Sequence, residues 1–525
     1  MLMENIFTIL ATALALYALV VSIFVITEKR RPQSTPAWML VLFFAPGIGL
    51  VVYLFFGRDN KAFSKRSKLL MQDLEATALP LLAPILSRQD SELARLSNES
   101  LAGKKLSMLV RRNSRSALTT RNRVEIQQDA ARFYPTLIED LRSARQSIHL
   151  QYFIWAVDPF TESVKQILIE KASAGVEVRL LYDPQGSQAH VDRRYVRDML
   201  ARGIRMAPTS PLYHLHTISY RNHRKITVID GVIGYTGGMN MGQEHLEGGE
   251  GFDSWRDTQV RLVGESVAIL QAVFMVDWYN AVGENLFQAK HFPADAADQV
   301  ESNIPVQILT SGPDSQWAAI RQLYGLMVIS ARQHVYIQSP FFLPDATLAE
   351  ALTAAALSGI EVKVMVSARP SGNRLPDWAG HTFIEEIVTS GVRVFLYDKG
   401  YLHAKTISID SEICSIGSAN IDIRSFSINY ELNAVFYSEQ IAKQLEADFE
   451  RDLAYCKEFD PEEYRKRGTV ARLRDSVARL LSPLLRRLFL DTSGSETTVN
   501  GCSDTSRSTE LRGLVGVLGN FRVFS

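Results

Sequence analysis

The sequence predicts an α/β protein of two similar halves around one cleft, each a mixed β-sheet flanked by helices, preceded by a two-helix transmembrane hairpin. The pattern H-x-K-x4-D occurs twice, beginning at His223 and at His403. In both halves a predicted strand leads to a helix, then to a second strand and later to the strand of the motif. This alternation is typical of a largely parallel or mixed sheet covered by helices.

Segments on the N-terminal side of the motif repeat in the same order in both halves. The matching pairs are 144–151 with 331–338, and 174–181 with 358–365. The separation between matching positions falls from 187 residues at the first pair to 180 residues at the motif histidines. A falling separation is expected for two copies of one unit when the loops of the second copy are shorter than those of the first. We therefore expect equivalent helices over 161–174 and 346–357.

Two uncharged segments, residues 6–27 and 37–56, lie near the N-terminus. Each is long enough to cross about 30 Å of hydrocarbon as a helix. A cleaved signal peptide is the alternative for the first segment, but no basic region precedes it and a second apolar segment follows at once. Three basic residues lie between the segments and five follow the second, so the positive-inside rule favours a cytosolic body.

The chain after residue 460 has a different character. Arginines alternate with apolar residues spaced three or four apart, which predicts a basic amphipathic helix over 461–490, interrupted near Pro483. Such a helix fits either the surface of an anionic bilayer or a docking site on the protein body. Residues 491–508 are rich in Ser, Thr and Gly and predict disorder.

These features divide the chain into six predicted segments. They are a transmembrane hairpin (1–60), a juxtamembrane linker with a helix over 71–86 (61–122), the first half (123–300), the second half (301–460), the basic amphipathic helix (461–490) and a disordered tail (491–525).

Composition excludes several classes of protein. Lys plus Arg and Asp plus Glu are both 57, so no overall positive charge indicates nucleic-acid binding. The three cysteines form no C-x-x-C pair and have no metal-ligand spacing, so neither a zinc site nor a disulfide framework is predicted. We expect Cys414, in an apolar strand, to lie in the core. No feature of the sequence indicates an oligomeric state.

The motif suggests phosphate chemistry. Residues 225–230 are β-branched in the middle and predict a strand, and alternation places His223 and Lys225 on one face. Two such His and Lys pairs around one small volume suit a phosphodiester. The lysines would hold the phosphate oxygens, while one imidazole attacks phosphorus and the other protonates the leaving oxygen. This scheme needs no metal and no cofactor.

The segments around the motifs resemble the phospholipase D superfamily and, more closely, bacterial cardiolipin synthases. They are Y-R-N-H-R-K from residue 220, G-Y-T-G-G-M-N from residue 234 and G-S-A-N-I-D-I-R-S-F from residue 417. The resemblance extends to about residue 490. It implies two phospholipase D-like halves with His223 and His403 on opposite sides of one cleft. It also implies that His223 is the nucleophile and His403 the general acid and then base.

The resemblance assigns supporting residues as well. Asp257 and Glu431 match the acids that hydrogen-bond the far ring nitrogen of each histidine, the alternative being a surface ion pair such as Asp257 with Arg256. Asn240 and Asn420 end the small-residue turns after each motif. The predicted catalytic set comprises His223, Lys225, Asp230, His403, Lys405 and Asp410. Within it the two aspartates lie at the far ends of the motif strands and should have a structural role.

The function that the resemblance implies is a phosphatidyltransferase in the inner membrane of a bacterial cell. It would make cardiolipin and glycerol from two phosphatidylglycerols through a phosphatidyl-histidine, on an anionic membrane and without nucleic acid as a partner. With water as acceptor the same site would be a phospholipase D. A nucleic-acid phosphodiesterase would gain nothing from two membrane spans. A catalytically inactive membrane scaffold is disfavoured because all six motif residues are present.

Overall fold

The computed structural model describes residues 76–488, apart from 189, 211–219, 250, 294–295, 297–299 and 370–373, and a few residues between 12 and 43. Side chains are described up to residue 479. Almost all of the predicted hairpin (1–60) and the whole predicted tail (491–525) lie outside these residues. None of the helices within the described residues is long and apolar enough to cross a membrane.

The strands and helices alternate along both halves of the body. The strands are β1 Leu118–Thr119, β2 Asn122–Gln128, β3 Ser147–Tyr152, β4 Glu177–Tyr182, β5 Arg205–Pro208, β6 Ile226–Ile229, β7 Ile233–Gly237, β8 Trp255–Arg256, β9 Thr258–Gly264, β10 Val306–Ser311, β11 His334–Gln338, β12 Glu361–Ser367, β13 Arg393–Tyr397, β14 Tyr401–Leu402, β15 Thr406–Ile409, β16 Ile413–Gly417, β17 Glu431–Tyr437 and β18 Cys456–Glu458. From residue 76 onwards the helices are α1 76–86, α2 Gln89–Glu99, α3 Leu101–Ser114, α4 Ala130–Ser143, α5 Pro159–Ser173, α6 Arg193–Ala201, α7 Glu244–Glu247, α8 Glu265–Val282, α9 Ala319–Ser330, α10 Ala346–Leu357, α11 Leu375–Val388, α12 Ile423–Ser427, α13 Glu439–Leu453, α14 Pro461–Arg465 and α15 Thr469–Leu488, with a 3-10 turn at Ala289–His291.

Each half contains one mixed sheet, and the two sheets have the same topology. The first has the strand order β2-β9-β7-β6-β3-β4-β5, and the second has the order β1-β10-β17-β16-β15-β11-β12-β13-β18. Without its edge strands β1 and β18, the second sheet matches the first strand for strand. The pairs β3-β4-β5 and β11-β12-β13 are parallel, and the other pairs are antiparallel. The predicted α/β fold with two similar halves is confirmed.

The predicted repeat helices correspond to α5 and α10, and both begin with an aspartate cap. The Asp158 carboxylate accepts the backbone N–H of Thr161, whose side chain completes a capping box. The Asp345 carboxylate accepts the N–H of Leu348 at the start of α10. A side-chain acceptor at this position satisfies a backbone donor that the helix itself cannot pair.

The two halves share a hydrophobic core between their sheets. Val260 and Leu262 of β9 belong to the same buried cluster as Ile416 of β16 and Leu432 of β17. Cys414 lies in this cluster with its side chain fully buried, as expected. Because apolar side chains from both halves are removed from water together, separating the halves would expose the core.

An aspartate ends each motif strand in the same unusual conformation. Asp230 and Asp410 both have φ of 54°, in the left-handed region. The Asp230 carboxylate accepts the backbone N–H groups of residues 145, 146 and 147, and the Asp410 carboxylate accepts those of residues 332, 333 and 334. These bonds attach the motif strand to the start of β3 or β11. The geometry gives both aspartates a structural role away from the cleft.

The C-terminal segment forms two helices, α14 and α15, instead of one. The expected interruption near Pro483 is wrong, because α15 continues from Thr469 to Leu488. Ala478 is buried against Leu343 and Ala379 of the second half. The helix therefore docks on the body, which was one of the two alternatives for this segment.

Candidate active site

Backbone hydrogen bonds between the halves place the first motif histidine. The N–H of His223 donates to the carbonyl of Tyr430 at 2.9 Å, and the N–H of Tyr430 donates to the carbonyl of Arg221 at 2.8 Å. Tyr430 immediately precedes Glu431. The backbone pairing therefore brings His223 beside an acid that belongs to the other half.

The second histidine is placed in the same way. Strand β14, which lies just before His403, pairs in parallel with β8 of the first half. The N–H of His403 then donates to the carbonyl of Arg256 at 2.7 Å, one residue before Asp257. The two halves thus exchange equivalent segments around an approximate two-fold relation.

Each imidazole forms a hydrogen bond with a carboxylate of the other half, namely the acid that follows the residue with which its backbone pairs. Nδ1 of His223 lies 3.0 Å from Oε2 of Glu431, and Nδ1 of His403 lies 2.7 Å from Oδ2 of Asp257. Both acids are buried, with 0% and 1% of their side chains exposed. The surface ion pair considered for Asp257 is wrong, because the Arg256 guanidinium lies on Asp452 instead.

The crossed acids determine which ring nitrogen is available for chemistry. An ionised carboxylate only accepts hydrogen bonds, so Nδ1 of each ring carries the proton and Nε2 is the basic nitrogen. Both rings line one cleft. Both histidines therefore contribute an imidazole with a basic Nε2 to the same cleft.

Two buried lysines supply positive charge to the cleft. Lys225 and Lys405 are almost fully buried, and each ammonium donates to the carbonyl oxygen of the histidine in its own motif. Burial lowers the pKa of His403 well below its usual range, and the charges of Lys405, Lys225 and His223 lower it further. An anion that binds between the lysines would offset this effect and allow His403 to hold a proton.

The carboxylates respond differently to the same surroundings. Burial raises the pKa of Asp257, against the opposing charges of Lys405 and His245. Burial also acts to raise the pKa of Glu431, but the charge and hydrogen bond of His223, with Lys225 and Ser418, outweigh it and the pKa is lowered. Glu431 is therefore the more firmly ionised acid.

Comparison with known proteins shows the family to which the chain belongs. A family model described as cardiolipin synthase, PLD-like domain, matches residues 137–268 and 327–453. The major cardiolipin synthase of Bacillus subtilis (strain 168) is 36% identical over 489 residues, which is 92% of this chain and 100% of that protein. This chain belongs to the cardiolipin synthase family. Cardiolipin synthases with phospholipase D-like domains are phosphatidyltransferases.

Further comparisons agree with the assignment to the cardiolipin synthase family. The cardiolipin synthase of Oceanobacillus iheyensis is 35% identical over 476 residues, 89% of this chain and 97% of that protein. A model described as Phospholipase_D-nuclease N-terminal matches residues 13–58. The crystal structure of phosphatidylserine synthase from Haemophilus influenzae Rd KW20 has a TM-score of 0.56 at 14% identity, covers 73% of this chain and 99% of that chain, and shows the same fold.

In this member of the cardiolipin synthase family, the residue between His and Lys differs between the motifs for a structural reason. Arg224 forms a buried ion pair with Asp277 at 2.7 Å in the first half. The second motif has Ala404 at this position, and there Arg256 crosses from the first half to Asp452 at 2.8 Å. Both buried carboxylates are compensated, as burial of charge requires.

The cleft also contains residues that the motif did not predict. Its lining within the described residues is Phe153, Ile154, His223, Asn240, Glu244, Trp255, Phe341, Tyr401, His403 and Asn420. Trp255 precedes Asp257 by two residues and Tyr401 precedes His403 by two, so alternation along the strands is the signal that points to both. The predicted Asn240 and Asn420 line the cleft, whereas the buried Lys225 and Lys405 are not among its lining residues. No group of three or more metal-ligating side chains occurs among the described residues.

The crossed hydrogen bonds predict which variants share a phenotype. Glu431→Gln should impair the same step as His223→Asn, and Asp257→Asn the same step as His403→Asn. By analogy with other acid–histidine pairs we expect losses in kcat/KM of about a hundredfold or more. The measurement is the ratio of activity on a phosphodiester lipid with a p-nitrophenol leaving group to activity on one with a glycerol leaving group.

Glu350→Gln, on the exposed face of α10, is the control and should leave both activities unchanged. If Glu431→Gln instead gave the ratio of His403→Asn, each acid would act on the histidine of its own half.

Proposed function

We propose that this protein is a membrane phosphatidyltransferase that converts two phosphatidylglycerols into cardiolipin and glycerol through a phosphatidyl-histidine. The observation that carries the proposal is the pair of imidazoles in one cleft, each oriented by a buried acid of the other half. Membership of the cardiolipin synthase family supports the choice of substrate and product.

In the first step Nε2 of His223 attacks the phosphorus of the donor phosphatidylglycerol. A nitrogen–phosphorus bond forms, the bond from phosphorus to the glycerol oxygen breaks, and His403 gives its Nε2 proton to that oxygen. Free glycerol leaves. Glu431 stabilises the positive charge that develops on the His223 ring.

In the second step a hydroxyl of a second phosphatidylglycerol attacks the same phosphorus. Neutral His403 takes the hydroxyl proton, a new oxygen–phosphorus bond forms, and His223 leaves as a neutral ring. The buried ammonium groups of Lys225 and Lys405 stabilise the negative charge on the non-bridging oxygens in both steps. Phospholipase D activity would follow the same course, with water in place of the second lipid.

Product analysis with labelled phosphatidylglycerol tests the proposed function. The purified protein in detergent should release glycerol and cardiolipin in equal amounts, and activity should survive excess chelator because the lysines and His403 carry the charge and the proton. Phosphatidic acid as the sole lipid product would identify a phospholipase D. Loss of activity with chelator and its return with one divalent ion would contradict the two-histidine scheme.

We further propose that residues 1–60 form a transmembrane hairpin in a bacterial inner membrane, with the catalytic body on the cytosolic side. The length of the two uncharged segments and the match of residues 13–58 to an N-terminal family model support this hairpin. The proposed order then continues with the linker (61–122), the two halves (123–300 and 301–460), the basic helix (461–490) and the tail (491–525).

Helix α15 supports a membrane-facing surface near the cleft. Its docked side carries Ala478 and the fully buried Asp475, whose Oδ2 lies 3.7 Å from Nδ1 of His381 on α11. Val470, Leu473 and Val477 point outwards, with 81%, 66% and 44% of each residue exposed. An apolar stripe that faces away from the body fits the acyl boundary of a bilayer.

The surroundings of this stripe match an anionic membrane. Lys466 and Arg472 are exposed near it and would meet anionic head groups. Leu343, which contacts Ala478 on the docked side, lies two residues beyond Phe341 of the cleft. A bilayer that covers the stripe would therefore lie close to the cleft, where lipid head groups must enter.

Vesicle sedimentation tests this surface. In protein that lacks residues 1–60, the double variant Leu473→Ser and Val477→Ser should bind anionic vesicles about tenfold more weakly, because two apolar side chains no longer enter the bilayer. The matched control is Ile329→Ser with Leu357→Ser, two exposed apolar residues on other helices. Equal binding by both double variants would mean that the α15 stripe does not contact the membrane.

A further inference from the structure

Glu244 introduces a carboxyl group into a cleft that otherwise suits an anion. Of the ten described residues that line the cleft, it alone is acidic. Within the part of the chain that the structure describes, its carboxyl group forms no hydrogen bond and no ion pair. An unpaired carboxylate would repel a phosphodiester, so its position calls for a different ligand group.

Glu244 is linked to His403 through its neighbour in the chain. The next residue, His245, is buried, and its ring centroid lies 6.1 Å from that of His403 and 4.9 Å from that of Trp255. Neither ring nitrogen of His245 has a hydrogen-bond partner among the described residues. His245 thus holds α7 against the His403 side of the cleft by packing, and Glu244 enters the cleft beside it.

The protonation state of Glu244 suits neutral polar groups. Burial, together with a smaller effect of the negative charge of Asp158, raises the pKa of Glu244 to about 7. Near neutral pH the carboxyl group is therefore present in both forms, one that donates and accepts hydrogen bonds and one that only accepts. Alcohol hydroxyls, which also donate and accept, are the matching ligands.

We propose that Glu244 binds the hydroxyl groups of the glycerol that leaves from the donor lipid and of the glycerol head group that enters with the acceptor. The inference rests on the proposed function, in which His403 gives a proton to one glycerol oxygen and takes a proton from another. A polyol held by Glu244 beside His403 is in position for both transfers. Water has only one oxygen and gains little from this subsite, so Glu244 favours transfer over hydrolysis.

The test separates attack on the donor from transfer to a polyol. A lipid analogue with p-nitrophenol as the leaving group reports the first step as a burst, since its p-nitrophenyl group carries no hydroxyl beyond the ester oxygen for Glu244 to bind. Labelled phosphatidylglycerol and added glycerol report transfer, and phosphatidic acid reports hydrolysis. The variants are Glu244→Gln and Glu244→Ala. The matched control is Glu247→Gln, which is exposed on the same short helix.

We expect Glu244→Ala to lower the rate of transfer to phosphatidylglycerol and to glycerol by about tenfold or more, raising the KM for glycerol. The p-nitrophenol burst should change by less than about threefold, and the ratio of phosphatidic acid to cardiolipin should rise. Glu244→Gln, which retains a carbonyl acceptor and has an NH2 group as donor, should lie between the wild type and Glu244→Ala.

Two results would contradict the subsite. The first is an unchanged ratio of transfer to hydrolysis in both Glu244 variants. The second is an equal loss of burst, transfer and hydrolysis, which would indicate a purely structural role. Failure of the proposed function would appear separately, as a wild-type protein that forms no cardiolipin. The subsite would then still predict slower release of glycerol, but not of p-nitrophenol, in Glu244→Ala.

Discussion

The exchange of acids between the two halves is the constraint on which the site depends. His223 is oriented by Glu431 and His403 by Asp257, so neither half contains a complete histidine–acid pair. The exchange begins in the backbone, where each histidine pairs with the residue that precedes the acid of the other half. Since the halves also share a hydrophobic core, the same contacts that stabilise the fold assemble the active site.

The burial of charge follows from this arrangement. Because the cleft lies at the junction of two sheets, its lysines and acids have little access to water, and their charges are compensated by one another. Asp277 and Asp452 show how the two copies have diverged: each needs a guanidinium, which Arg224 supplies within its own motif and Arg256 supplies across the junction. The second motif can have Ala404 in place of an arginine because Arg256 of the first half reaches Asp452 across the junction.

The repeat in the sequence predicted the fold well because each copy contains the strands of one sheet, and the two sheets have the same strand order. The motif histidines and lysines could also be found, since the motif occurs twice, and the family resemblance pointed to the two acids. The crossing of the acids could not, because spacing along the chain does not show which half a loop will contact. Glu244 was missed for a related reason: its counterpart at the repeat offset is Arg424, so a search guided by the repeat passes over it.

The central claim is that the two histidines perform different steps in one site, and trapping the covalent intermediate tests it most directly. His403→Asn and His223→Asn are each incubated with the p-nitrophenyl lipid analogue, and acid-sensitive adducts are located by mass spectrometry. We expect a phosphatidyl group on His223 in the His403 variant and no adduct in the His223 variant, because p-nitrophenol leaves without an acid but attack requires the nucleophile. An adduct on His403 in the His223 variant, with none on His223 in the other, would reverse the roles. The absence of adducts from both variants despite wild-type turnover would contradict the covalent mechanism.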